Sequence, residues 1–316
     1  MGPAPPASLI PGQSARRVAP LAAILVVVAL ALALAPGWFS DADRTSGATA
    51  FVPSDSRRST VVWAVGDGPD GGRDARRVAS LIRRSHPDRI LYLGDVYERG
   101  TPSEFAHDFD PIYGSVAKRI APTPGNHEWP LHTTGYDRYW ARKRGVSTPP
   151  YYSFRTGGWQ VLSLNSEIDH GAGSKQLAWL RSKIGGGGTC RLAFWHRPRF
   201  SAGDVHGDQL DTGPFWDVLE GHAAIVLGGH EHDMQRFAPR GGITELVSGA
   251  GGHGLYPVHA RRDLAFANDA RFGALRVVLS RGLARFRFVS VGGRTLDSGK
   301  IRCTATRPAG VAGRMR

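Results

Sequence analysis

The sequence is poor in cysteine. Cys190 and Cys303 are the only two in 316 residues, and no other metal-ligating residue stands beside either one. A cysteine-held structural metal therefore has no framework here. Acidic residues are in the minority: 27 Asp and Glu against 40 Lys and Arg leave a formal charge of +13. Only five of those cations are lysine, so the excess is arginine. The basic residues are scattered rather than blocked, and aromatic residues do not interleave with a basic stripe as a nucleic-acid groove requires. No specific nucleic-acid partner is expected, and the charge reads as a solvated arginine-rich surface. No internal repeat is present, which argues against solenoid and array architectures.

Long apolar runs are missing except near the start. Arg16 and Arg17 precede an uncharged stretch whose aliphatic part covers residues 21–35. That length sits at the upper limit of a signal-peptide core and just short of a typical membrane span. With Trp38 and Phe39 as an interfacial pair, residues 18–39 are long enough to cross a bilayer, with the basic end inside. Cleavage after the run Ala33-Leu34-Ala35 is the alternative. Either way the remainder is expected to be exported, as a membrane-anchored or a secreted protein. In that compartment Cys190 and Cys303 most simply form one disulfide, worth about 3–5 kcal/mol across so long a loop.

The chain then divides into a basic segment 1–17, a signal or anchor 18–39, a polar linker 40–58, one domain at 59–303 and a tail 304–316 expected to be disordered. Within the domain, residues 61–65 form an apolar β-branched run and residues 89–93 another. Between them Val78, Leu81 and Ile82 recur at helical spacing. Strand, helix, strand is a βαβ unit, whose functional groups belong at the carboxyl ends of its strands. Residues 102–140 read as aromatic and loop-rich. A hairpin is expected at 151–164, helices at 174–184 and 210–219, and strands at 192–195, 223–227, 243–247, 275–279 and 284–289. Helices early and strands late predict two sheets packed face to face with helices outside.

Five short runs stand at predicted strand ends: Gly66-Asp67-Gly68, Gly94-Asp95, Gly125-Asn126-His127-Glu128, Trp195-His196 and Gly229-His230-Glu231-His232. Side chains at such ends project into a shared crevice. Two carboxylates, an amide and several imidazoles there suit Zn, Mn, Fe or Mg. Hydrolysis of a phosphate ester needs such a set: adjacent cations lower the pKa of a bound water, screen the substrate charge and hold nucleophile and phosphate in line. His230 and His232 alternate by two, so both lie on one side of an extended segment.

The order of these five runs resembles the calcineurin-like metallophosphoesterase superfamily, most closely its purple acid phosphatase and alkaline-phosphatase-like branch. The resemblance covers residues 61–303. It implies a four-layered α/β/β/α sandwich, preceded here by the hydrophobic signal or anchor helix. It also implies two divalent or mixed-valence ions (Fe, Mn or Zn) and a phosphate mono- or diester substrate. Asp95 would bridge the metals, Asp67 and His232 would hold the first, and Asn126, His196 and His230 the second. His127 would act as general acid or phosphate contact, oriented by an acidic neighbour, with Asn126 and His206 also on the substrate side. A metal-bound hydroxide would attack phosphorus in line.

The chain departs from the pattern at two places. Asp67-Gly68-Pro69 carries proline where many members have histidine. The purple branch supplies a tyrosine three residues after the bridging aspartate, whereas Tyr97 comes two after Asp95 and Glu98 follows. Either Tyr97 reaches the first metal or water or Glu98 takes its place. That gap keeps open a second expectation, a catalytically weak member that binds a phosphorylated ligand or an envelope partner. Glu231 reads as a solvated loop residue. His206 and His253, in glycine-rich loops, read equally as pocket lining or surface.

Overall fold

The computed structural model describes residues 50–185 and 188–303. The basic segment 1–17, the signal-or-anchor stretch 18–39, the first part of the linker and the tail 304–316 lie outside the described residues. No helix among the described residues is long and apolar enough to cross a membrane. Within the stretch read as linker, Phe51 and Val52 are buried in the core.

The first sheet holds β1 (Ser59–Val65), β2 (Arg89–Tyr92), β3 (Ile120–Pro122), and, from the far end of the chain, β11 (Gly273–Ser280), β12 (Leu283–Ser290) and β13 (Thr295–Arg302). Their order is β13-β12-β11-β1-β2-β3. The first three strands run parallel, and β1 pairs antiparallel with β11. The second sheet contains β4 (Tyr152–Thr156), β5 (Trp159–Ser163), β6 (Cys190–Phe194), β7 (Ile225–Gly228), β8 (Met234–Phe237), β9 (Thr244–Ser248) and β10 (Leu264–Asn268). Its order is β10-β8-β9-β7-β6-β5-β4, with β5, β6, β7 and β9 parallel.

Side-chain alternation explains the layering. Leu192, Phe194, Ile225 and Leu227 join Val62, Ala64, Ile90 and Tyr92 in one core between the sheets. Ala193, Trp195 and Val226 point the other way, onto Leu177, Leu180, Phe215 and Leu219 of two outer helices, Lys175–Ile184 and Gly213–Leu219. Between β1 and β2, helix α1 (Arg73–Arg84) buries Ala75, Val78, Ala79 and Ile82, a single apolar stripe. The fold is thus a mixed α/β structure of two packed sheets, as the patterning predicts. Cys190 at the start of β6 is disulfide-bonded to Cys303 after β13, which ties the two sheets together.

The stretch read as loop-rich is largely helical. Short helical turns fill residues 102–119, and a helix spans Tyr136–Arg144. Phe105, Phe109 and Tyr113, four residues apart, pack with Tyr139 and Trp140. Thr101 and Glu104 form a capping box ahead of them, with Pro102 at the first helical position. The aromatic content masked a helical period. The stretch 234–302 reads mainly as β, and it supplies β8, β10 and β13 besides the strands set out individually above. β13 is a polar edge strand that β12 recruits by register.

Candidate metal centre

Parallel β1 and β2 end side by side, with Val65 opposite Tyr92. The turns that follow deliver Asp67 and Asp95 to the same crevice. β3 leads to Asn126 and His127, β6 to His196, and β7 to His230 and His232. Asp67, Asp95 and His230 all hold left-handed backbones, with φ of 60°, 67° and 69°. Non-glycine residues adopt this conformation at a cost, and such strain gathers at functional sites. The glycines of the runs allow the approach. A Cβ on Gly125 would lie 2.1 Å from Asp95 Oδ1, and one on Gly94 would lie 2.6 Å from His196 Nδ1.

Two donor groups meet at Asp95. In one, the His196 Nδ1–H donates to the Leu93 carbonyl at 2.7 Å. This bond turns Nε2 toward Asn126 Oδ1 at 3.0 Å, His230 Nδ1 at 3.1 Å and Asp95 Oδ2 at 3.4 Å. Ligand atoms of Asp95, His196 and His230 all lie within 4.8 Å of one another. In the other group the buried Tyr97 hydroxyl lies 2.8 Å from His232 Nε2, 3.2 Å from Asp95 Oδ2 and 3.3 Å from Asp67 Oδ1. Tyr97 therefore reaches the crevice despite its shortened spacing. Glu98 does not share it: its side chain is exposed and faces His253.

The electrostatics are those of a cation site. Burial, reinforced by Asp95, raises the Asp67 pKa well above the usual carboxylate range, although His196 opposes this. Burial would also raise Asp95, but His196 outweighs it and holds Asp95 below its ordinary value. For His196 burial works against protonation, and Asp95 nevertheless pushes the pKa up to about 10. Burial, then neighbouring imidazoles, lowers His230, and it lowers His232 to about 3. Two buried carboxyl groups, the imidazoles of His196, His230 and His232 and an amide oxygen thus crowd together. Among the described residues no Lys or Arg pairs with Asp67 or Asp95. His230 Nε2 and His232 Nδ1 are buried with no hydrogen-bond partner beside these carboxyl groups, so the donor set fits bound metal cations.

His127 sits at the mouth. Its Nδ1–H donates to the Glu98 carbonyl at 2.6 Å, and its Nε2 lies 3.9 Å from Asp95 Oδ2. A backbone carbonyl orients the ring, rather than the acidic neighbour expected from the family pattern. That neighbour, Glu128, is turned inward and buried, and accepts the backbone N–H groups of Asp95 and Val96 at 3.2 Å each. Burial, then Asp95, raises its pKa to about 8.

Glu231 corrects another expectation. It is wholly buried, not solvated. Its Oε1 accepts from the backbone N–H of His206 at 3.2 Å and of Gly207 at 2.6 Å. The loop so fixed stacks His206 on His230, with ring centroids 3.9 Å apart. His253 stacks on Tyr97 at 3.7 Å, and Tyr256 on His232 at 3.9 Å. Sequence reasoning missed Tyr256, because no local pattern marks a ring brought in from a distant loop.

Comparison with known proteins agrees with this geometry. A probable cyclic nucleotide phosphodiesterase of Synechococcus sp. is 30% identical over 55% of this chain and 68% of its own length. The probable purple acid phosphatase 20 of Arabidopsis thaliana is 26% identical over 46% of this chain, which spans only 40% of that protein. The solved purple acid phosphatase from yellow lupin (Lupinus luteus) seeds shares the fold, with a TM-score of 0.65 at 16% identity, covering 79% of this chain and 55% of that one. The family model for calcineurin-like phosphoesterases matches residues 60–234. The chain belongs to the calcineurin-like phosphoesterase family, and so to the hydrolases of phosphoric esters.

Proposed function

We propose that the chain is an exported dinuclear metal-dependent hydrolase of phosphate mono- or diesters. The observation that carries this reading is the sharing of Asp95 by two donor groups in one crevice. Asp95 would bridge two ions. Asp67, Tyr97 and His232 would hold the first, and Asn126, His196 and His230 the second. Fe, Mn or Zn would supply, when bound, the positive charge that draws in phosphoryl oxygens and activates water.

The chain's own groups do the rest. The Leu93 carbonyl fixes the His196 ring, and Glu128 fixes the Asp95 backbone, so the carboxylate and imidazole need not reorganise on binding. His127, with Nδ1–H held by a carbonyl, would act from its doubly protonated form: its Nε2–H would face the leaving oxygen, pass it the proton that the departing alkoxide needs, and leave a neutral ring. Asn126, His127 and His206 would line the phosphate. Export rests on the Cys190–Cys303 bridge, which suits an oxidising compartment, and on residues 18–39 as signal or anchor. The catalytic domain would occupy residues 59–303.

Metal analysis of the purified protein, with its visible spectrum and turnover of a chromogenic phosphomonoester and phosphodiester, tests the reading. Two metals per chain and hydrolysis of either ester are expected. An intact protein that binds fewer than two and cleaves neither would overturn it. That result would favour a member that only binds phosphorylated ligands, consistent with Pro69 in place of the usual histidine.

A further inference from the structure

Some arginines are neutralised where they meet the rest of the fold. Arg236, Arg240 and Arg261 pair with Asp297, Asp263 and Asp208. One face is different. On α1, Arg73, Arg77, Ser80 and Arg84 form a single helical stripe. With Arg76 and Val291 they line a groove of about 430 Å³. A second groove of about 330 Å³ shares Arg77 and Val291 and adds Arg271 and Arg294.

The strip continues along β12. There Arg285 and Arg287 are exposed, alternating with buried Ala284, Phe286 and Phe288. Val291, just beyond the end of β12, lines both grooves, and α1 packs against β11, so sheet face and grooves adjoin. Arg287 lies directly opposite Arg276 on β11, and Arg285 directly opposite Lys300 on β13. Like charges directly opposite on one sheet face destabilise it. Burial and Arg287 together depress the pKa of Arg276. The one ion pair on the strip is Arg77 with Asp74 on the same helix, at 3.1 Å. Among the described residues Arg73, Arg84, Arg271, Arg285, Arg287 and Arg294 form none. Folding alone gains nothing from this arrangement. An external polyanion would relieve it, and guanidinium forks match phosphate oxygens bidentately.

We propose that this arginine face docks on a surface of anionic phospholipid headgroups. It is shared by three strands and a helix flank, the shape of a broad contact. Phe272 is the one aromatic side chain lining the two grooves, and it packs on the core, which leaves no platform for stacking bases. The choice of a membrane also rests on residues 18–39 as targeting segment, the reading proposed above.

The test is co-sedimentation of the full chain with phosphatidylcholine vesicles, neutral or containing about one-third phosphatidylglycerol. Binding to neutral vesicles reports on residues 18–39 alone. The excess on anionic vesicles reports on charge. The triple variant R285E/R287E/R294E, which leaves Lys300 and Arg276 opposite the new glutamates, is expected to lose that excess by at least about tenfold, since each headgroup-facing cation contributes roughly fivefold. The charge-matched triple R138E/R142E/R262E, away from the strip, is expected to keep most of it. Thermal melting shows that the strip variant folds: removing like-charge pairs leaves its melting temperature equal or higher. Equal losses in both triples, or no anionic excess in the wild type, would overturn the proposal. So would strip-dependent binding to duplex DNA in the absence of vesicle binding.

Discussion

Tyr97→Phe removes one oxygen from the side of the site that Asp67 and His232 share. The hydroxyl is buried and lies 2.8–3.3 Å from His232 Nε2, Asp95 Oδ2 and Asp67 Oδ1. Without metal it is a neutral phenol, because burial and then Asp67 raise its pKa well above the ordinary value. A hydrogen bond to a charged group contributes about 1.5–3 kcal/mol, so the metal-free variant should be destabilised by about that much. In a domain this size that lowers the melting temperature by roughly 3–12 °C. With metal the consequence differs. If Tyr97 is a ligand of the first ion, its loss should weaken retention of one metal by about 10–100-fold or more and reduce turnover in step. Inductively coupled plasma analysis after dialysis, alongside phosphodiester kinetics, reads both effects. Unchanged stoichiometry and full kcat would refute the assignment and leave Tyr97 a packing residue.

Three further outcomes are expected. Asn126→Ala and His230→Ala should abolish turnover while near-UV circular dichroism stays native; retained activity in either would remove that residue from the proposed ligand set. Burial, against the backbone donors of Arg199 and Phe200, raises Glu245 to about 8 from the usual 4.5. Between those values the unfolded chain releases a proton that the folded chain keeps, so stability falls as pH rises from about 4.5 to 8. Glu245→Gln should flatten that slope in denaturant titrations, and an unchanged slope would refute the attribution. Replacing both Cys190 and Cys303 by serine opens a loop with a sequence separation of 113. This should cost about 4–5 kcal/mol, and dithiothreitol should reproduce the loss in the wild type; a cost under about 1 kcal/mol would count against the loop-entropy account.

Much of the fold was legible because its signals are local. β1, α1 and β2 carry apolar runs and helical spacing that nothing downstream overrides. The hairpin β4–β5 turns at Gly157-Gly158, where both residues have positive φ. The stretch 102–140 reads as loop because its periodic positions are aromatic and its helical segments short. Aromatic residues are poor helix markers, and tertiary packing decides their conformation. Polar β13 lies in the stretch that reads mainly as β, but its pairing comes from its partner β12, which supplies the register.

The candidate site divides the same way. The runs around Asp67, Asp95, Asn126, His196, His230 and His232 could be read in order, because each follows a strand and a glycine turn. The sequence alone determined which chemical groups are present, in what order and at which strand ends. Only the tertiary structure decided that Tyr97 enters the crevice, that Glu98 stays outside, that Glu231 is buried under the His206 loop and that Tyr256 stacks on His232. It alone also placed Arg276 opposite Arg287. These are contacts between segments tens to more than a hundred residues apart. Their geometry depends on register and on left-handed turns at Asp67, Asp95 and His230, quantities that local patterning does not encode.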